Sequence, residues 1–241
     1  MNNTRRAAFE AIYNVFYNGA YSNIAIDKAI VNLTEGKAFA TRLAYGVIER
    51  KLTLEYIISK HCTRPKPKVK VILLIGAYQL YFMDKVPPSA AIDESVELAK
   101  TLGLNYYTKL INAVLRKVDG SRIDIALLDE LSVRYSVPEG LINMWKKQYG
   151  SKVTLNILEA VNGGPPVFAI PNYKLTNASE LEGALKAEGI SCEALGDVVK
   201  INSAFNVKAL NAYNDGLFHI QDLSCFKAIR ALDVKPESTV L

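Results

Sequence analysis

The 241-residue chain has little of what most small catalytic or metal sites are built from. Its three cysteines, Cys62, Cys192 and Cys225, stand singly, so neither a disulfide framework nor a CxxC metal motif is available, and they read as small apolar residues rather than nucleophiles. Its two histidines, His61 and His219, are far apart, which argues against a His-based hydrolase or a zinc site, and no metal is expected. Long apolar runs are also missing. The longest, Val69 to Met83, is interrupted by Lys70, Gly76 and Gln79 and is too short for a bilayer, so it reads as a buried helix. The N-terminus, Met1 to Arg6, lacks an apolar signal core and a small-residue cleavage site. A cytoplasmic monomer without membrane contact is therefore expected.

A hydrophobic content of 50% over this length is enough for a sizeable core and for two domains. The net charge of +5 is unevenly placed: residues 1–130 hold 18 Lys and Arg against 13 Asp and Glu, whereas residues 131–241 hold 11 against 11. An anionic partner for the first half follows, with nucleic acid the leading candidate.

Up to about Val118 the hydrophobic spacing is helical throughout, with no period-two alternation. Thr4 is a candidate N-cap for a helix carrying Phe9, Ile12 and Phe16 and ending at Gly19. Ser22 opens a second helix; a third carries Leu43 and Val47, and a fourth Leu54, Ile57 and Ile58. Residues 63–68, with Pro65 and Pro67, read as a loop. The apolar helix from Val69 to about Asp84 is expected at the centre of the bundle, with Gly76 allowing close contact. After Pro87 and Pro88, Ser89 is placed to cap a helix through Leu98, and Asn105 the next, with Leu110, Ile111, Val114 and Leu115 inward. A helical connector follows, with Pro138 at a helix start, a shared face of Leu141, Trp145 and Tyr149, and a stop at Gly150.

Gly163 to Pro166 mark a hard boundary, beyond which short strands at Val167–Ile170, Val198–Ile201 and Leu217–Ile220 alternate with helices at Ser179–Glu188, Val207–Ala212 and Leu223–Leu232. The expected architecture is an all-α bundle over 1–122, a helical connector over 123–163 and a small α/β subdomain of RRM or ferredoxin-like type over 164–216. Residues 217–241 would begin a further domain. Thr239, Val240 and Leu241 start an apolar run that reads as an unfinished buried strand, so the chain is expected to be cut within that further domain.

Several ordered blocks carry a family resemblance. GAYQL at Gly76–Leu80, Val86-Pro87-Pro88, AAIDESVELAK at Ala90–Lys100, LINAVLRK at Leu110–Lys117 and YGVIER at Tyr45–Arg50 together resemble the NusB-like fold. That fold occurs in free antitermination factors and at the front of the Sun/RsmB family of rRNA cytosine-5 methyltransferases, whose catalytic part is the NOL1/NOP2/Sun region. The continuation past Arg122 and the segment GLFHIQDLSC at Gly216–Cys225 resemble the methyltransferase family. The resemblance implies a catalytic Rossmann-like domain absent from this chain, S-adenosylmethionine as methyl donor, rRNA as substrate, and two catalytic cysteines that follow Pro and Thr. Cys62, Cys192 and Cys225 follow His61, Ser191 and Ser224 instead, so they receive no catalytic role, and the chain by itself is expected to be inactive. The resemblance places Gln221 and Asp222 beside the cofactor pocket; Asp222 could equally be a helix cap. Where the family often has an arginine after its Pro-Pro pair, this sequence has Ile170, two residues before Asn172.

For RNA contact the leading candidates are Lys60, Arg64, Lys66, Lys68 and Lys70, in a stretch without Asp or Glu, together with Arg5, Arg6, Arg50 and Lys51. The tyrosines, most at core spacing, are not expected to serve as stacking platforms. A non-catalytic NusB-type antitermination factor and a helical protein-interaction scaffold are the competing expectations.

Overall fold

A computed structural model describes residues 3–161, 163–203, 205–235 and 237–239. The chain divides into two compact units, Met1–Asn162 and Gly163–Leu241.

The first unit is helical: α1 Asn3–Tyr17, α2 Ser22–Ile30, α3 Lys37–Glu49, α4 Lys51–Ser59, α5 Pro67–Phe82, α6 Pro88–Thr101, α7 Thr108–Gly120, α8 Leu131–Tyr135 and α9 Glu139–Val161. Short 3-10 turns at Asn105–Tyr107 and Ile125–Leu127 precede α7 and α8. Helix α5 is the axis of the bundle. Val69 and every residue from Val71 to Leu80 are buried, as expected of a helix apolar on all sides. Two glycines let neighbours close on it. A Cβ at Gly76 would lie 2.5 Å from Leu115 Cδ1 and 3.0 Å from Ser95 Oγ, and one at Gly46 of α3 would run into the Tyr78 ring.

Four expectations about helix ends are corrected. Helix α1 already includes Asn3 among the described residues, so Thr4 lies inside it rather than at the cap. Helix α5 starts at Pro67, whose fixed φ and missing N–H suit the first helical position, so the loop before it is shorter than 63–68. The same rule puts Pro88 ahead of Ser89 at the start of α6. Asn105 opens a 3-10 turn instead of capping α7, and that shift leaves Leu110 40% exposed while Ile111, Val114 and Leu115 are buried.

Residues 123–136 are fastened to the bundle by specific bonds. The Ile123 amide donates to Tyr81 Oη at 3.0 Å, the Leu52 amide to Ser136 Oγ at 3.1 Å, and Thr53 Oγ1 to the Val133 carbonyl. Gly150 interrupts α9 as expected: at φ 76° and ψ 167° it ends the first helical stretch, and a second one follows in which Leu158 packs with Ile142, Tyr135 and Val137.

The second unit contains β1 Val167–Pro171, α10 Ala178–Ala187, β2 Cys192–Leu195, β3 Val198–Ile201, a 3-10 turn at Val207–Ala209, α11 Asn211–Asn214, β4 Phe218–Ile220 and α12 Leu223–Ala231. Its strands form one antiparallel sheet in the order β2-β3-β1-β4. Both faces are covered. Ala169, Val199 and Ile201 pack with Leu181 and Leu185 of α10. The alternate residues Phe168, Ile170 and Val198 pack with Leu223 and Phe226 of α12. Strand β2 was not expected from the sequence. The expected division at 216/217 falls just before β4, which pairs with β1 through Ala169–Ile220 and Pro171–Phe218. Val240 and Leu241, in the run expected to start a further strand, lie outside the described residues.

Candidate nucleic-acid interface

The segment from Lys60 to Lys70 is held open by its backbone. Helix α4 ends with the amides of His61 and Cys62 both donating to the Ile58 carbonyl at 2.9 Å. Arg64 then takes a left-handed conformation, φ 54°, which costs a non-glycine residue about 1–2 kcal/mol. Lys66 is extended, φ −58° and ψ 150°, as the residue before a proline must be, and Pro67 starts α5. Lys60, Arg64, Lys66 and Lys68 are exposed, and none takes part in an ion pair among the described residues. The first turn of α5 has no acidic residue, so Lys68 faces the positive end of a helix dipole, which is unfavourable by roughly 0.3–1 kcal/mol at low salt. Cations crowded at a helix N-terminus are eased by a bound anion.

The other candidate cations are committed elsewhere. Lys70 Nζ is 2.8 Å from Glu55 Oε1, a buried oxygen with no other partner among the described residues. Arg6 pairs with Glu10 at 3.0 Å on the same helix face. Arg50 lies over Phe82 at 5.3 Å from the ring centroid, and Lys51 over Phe16 at 4.6 Å, both half-buried. Arg5 is a buried residue: its Nε donates to Gln79 Oε1 at 2.8 Å, its Nη1 lies 3.4 Å from Glu94, and its guanidinium sits over Phe39. Burial lowers the Arg5 pKa, and Glu94 opposes that. The geometry therefore gives Arg5 a structural role in place of the expected surface contact.

Sequence reasoning missed what stands beside the basic segment. Lys66 Nζ is 5.5 Å from the centroid of the Tyr107 ring, and hydrogen bonding to that tyrosine is the largest cause of a raised Lys66 pKa. Tyr106, packed edge-on against Tyr107 with centroids 5.2 Å apart, is 89% exposed. Nothing in the spacing of NYYTK separates a surface tyrosine from a core one.

In the second unit Asp222 is the N-cap of α12, accepting the Ser224 amide at 2.8 Å and also the Ser224 hydroxyl, which together hold its pKa below the ordinary carboxylate range. Gln221 Oε1 is 3.3 Å from His219 Nε2. Ile170 is buried in the sheet, and Asn172 binds the Leu217 and Gly216 carbonyls through its amide and side chain. Cys192 is buried with its thiol pKa raised chiefly by burial, Cys62 is half-buried, and Cys225 is exposed on α12. Among the described residues no helix is long and apolar enough to cross a membrane.

Residues 2–120 match the NusB family model. The helical unit carries a NusB-family domain. Homology extends past it to both units. The probable ribosomal RNA small subunit methyltransferase B of Bacillus subtilis is 30% identical over 252 residues, covering 98% of this chain and 56% of that protein. Its counterpart in Synechocystis sp. is 27% identical, covering 100% of this chain and 57% of that protein. Ribosomal RNA small subunit methyltransferase B of Klebsiella pneumoniae is 30% identical, over 98% and 56%. The chain thus spans a little over half the length of the curated relatives it matches. The crystal structure of PH0851 shares the fold, with a TM-score of 0.68 at 20% identity over 98% of this chain and 56% of that one. The expected NusB-like fold and kinship with small-subunit rRNA methyltransferases are both borne out.

Proposed function

We propose that this chain is the RNA-engaging part of an S-adenosylmethionine-dependent rRNA (cytosine-5) methyltransferase, in which it positions small-subunit rRNA for methylation. The observation that carries the reading is a match running through both units of proteins named as rRNA small subunit methyltransferases. A free NusB-type antitermination factor gives no reason for the second unit, and a helical scaffold gives none for the ion-pair-free cations of the first.

Residues 1–122 are read as the RNA-binding domain, 123–163 as the connector and 164–216 as a ferredoxin-like RNA-positioning subdomain. The strand order β2-β3-β1-β4 and the β-α-β-β-α-β connectivity support the last assignment. Because β4, Phe218–Ile220, completes the small sheet, the subdomain is read as running through β4, and the lead-in toward the methyltransferase region, expected over 217–241, as beginning at α12.

Asp222 is committed to capping α12 and Gln221 is turned to His219, so no step of methyl transfer is assigned to either. What the chain contributes is charge. RNA presents closely spaced phosphates, and Lys60, Arg64, Lys66 and Lys68 meet them without first breaking an ion pair.

The test is substrate dependence in a protein of the relatives' full length. Arg64→Ala, Lys66→Ala and Lys68→Ala together should raise KM for rRNA severalfold with little change in kcat, the pattern of lost ground-state binding. An unchanged KM rejects the basic segment as the docking site. Absence of any methylation of small-subunit rRNA by that protein rejects the enzyme reading.

A further inference from the structure

Two segments without a carboxylate meet on the surface of the NusB-family domain. One is Lys60–Lys70; the other, Thr101–Val118, contains no Asp or Glu and carries Tyr106, Tyr107 and Lys109. Their junction is the 5.5 Å approach of Lys66 Nζ to the Tyr107 ring. Tyr106 stands there in an unusual state for a large aromatic: 89% exposed, its ring nearly perpendicular to that of Tyr107, its hydroxyl without a hydrogen-bond partner among the described residues. Its position is nevertheless fixed. The 3-10 turn Asn105–Tyr107 places it between Leu104 and Tyr107, both packed against the bundle core. Lys109, in the first turn of α7, is exposed and in no ion pair among the described residues.

We infer that this surface selects single-stranded RNA, with an unpaired base stacked on the Tyr106 ring and the neighbouring phosphates held by Lys66 and Lys109. The inference rests on the RNA-binding reading above and adds a preference to it. Lysines alone attract any polyanion. A fixed, bare aromatic face adds something only where a ligand offers a π-face of its own, and in an A-form duplex those faces are already stacked on one another. An acidic peptide offers charge without such a face.

The measurement is fluorescence anisotropy of the whole chain with three probes at one salt concentration: an unstructured 12-nucleotide RNA, the same strand with abasic sites at its central positions, and a 12-base-pair RNA duplex. The wild-type chain should prefer the first. Tyr106→Ala should weaken its binding about tenfold, within the range a lost base stack gives, and leave the abasic and duplex probes within about twofold. Tyr106→Phe should keep the preference, since the ring and not the hydroxyl is used. Lys66→Ala with Lys109→Ala should flatten the single-strand salt slope by roughly 1.4, about 0.7 for each phosphate contact.

Equal losses on all three probes, or no loss with Tyr106→Ala, overturn the inference while salt-dependent binding still supports the basic segment. Poly-glutamate binding as tightly as RNA of equal charge also overturns it. If the wild-type chain binds none of the RNAs in a salt-dependent way, the RNA-binding reading itself fails.

Discussion

Two arginines adjacent in sequence separate chemistry from architecture. Arg5 and Arg6 present the same charge one residue apart on α1, yet a 100° step turns one into the bundle and leaves the other in water. Arg5 satisfies Gln79, whose amide nitrogen in turn donates to the Ile75 carbonyl at 3.1 Å inside α5. Arg5→Ala strands a buried acceptor, so stability should fall by about 1–3 kcal/mol in urea unfolding, with the RNA salt slope of the folded variant unchanged. A reduced slope in a folded Arg5 variant would return this residue to the interface.

Glycine gives a second prediction at the same scale. Gly→Ala ordinarily helps a helix by about 1 kcal/mol, but at Gly46 the new methyl meets the Tyr78 ring and at Gly76 it meets Leu115. Overpacking should win, and each variant should lose about 1–3 kcal/mol. A gain in urea midpoint at Gly46 would mean that Tyr78 can move aside.

Among elements, the helices of the first unit were legible because their buried residues recur every three or four positions, as Ile111, Val114, Leu115 and Val118 do in α7, or because the helix is apolar all round, as in α5. Ends were less legible. Pro67 and Pro88 look like breakers until their place in the first turn is known, and Tyr106 cannot be told from Tyr78 by spacing. Strand β2 was missed because Cys-Glu-Ala-Leu is an edge strand with one buried residue. A signal was present in Gly196-Asp197, the two-residue link across which Leu195 pairs with Val198, with φ 61° at Gly196.

Helix α12 offers a pH prediction at this scale. Its Asp222 cap has a folded pKa below the ordinary Asp value of about 3.9. A depressed carboxylate contributes stability that is fully present above the unfolded value and is lost as pH falls through the folded one. The Ser224 amide should therefore stay protected from exchange at neutral pH and lose protection only in strong acid, whereas Asp222→Ala should lose it at every pH. Protection that survives in the Ala variant would show that packing of Leu223 and Phe226, rather than the cap, holds this helix in place.

For the molecule as a whole, charge and fold divide at the same place. Residues 1–162 hold 22 Lys and Arg against 15 Asp and Glu, and residues 163–241 hold 7 against 9, so the second unit adds no net attraction to a polyanion. If docking is electrostatic, the first unit should account for all of it. Residues 1–162 expressed alone should bind single-stranded RNA with the salt slope of the full chain, and residues 163–241 should show a slope near zero. The outcome also bears on why Arg64 is tolerated. Arg64→Gly should relieve left-handed strain of about 1 kcal/mol while removing a cation, so a more stable but weaker-binding first unit is expected. Were Arg64→Gly to stabilise the unit and leave RNA affinity intact, the strained arginine would have no function at this surface, and docking would fall to Lys60, Lys66 and Lys68.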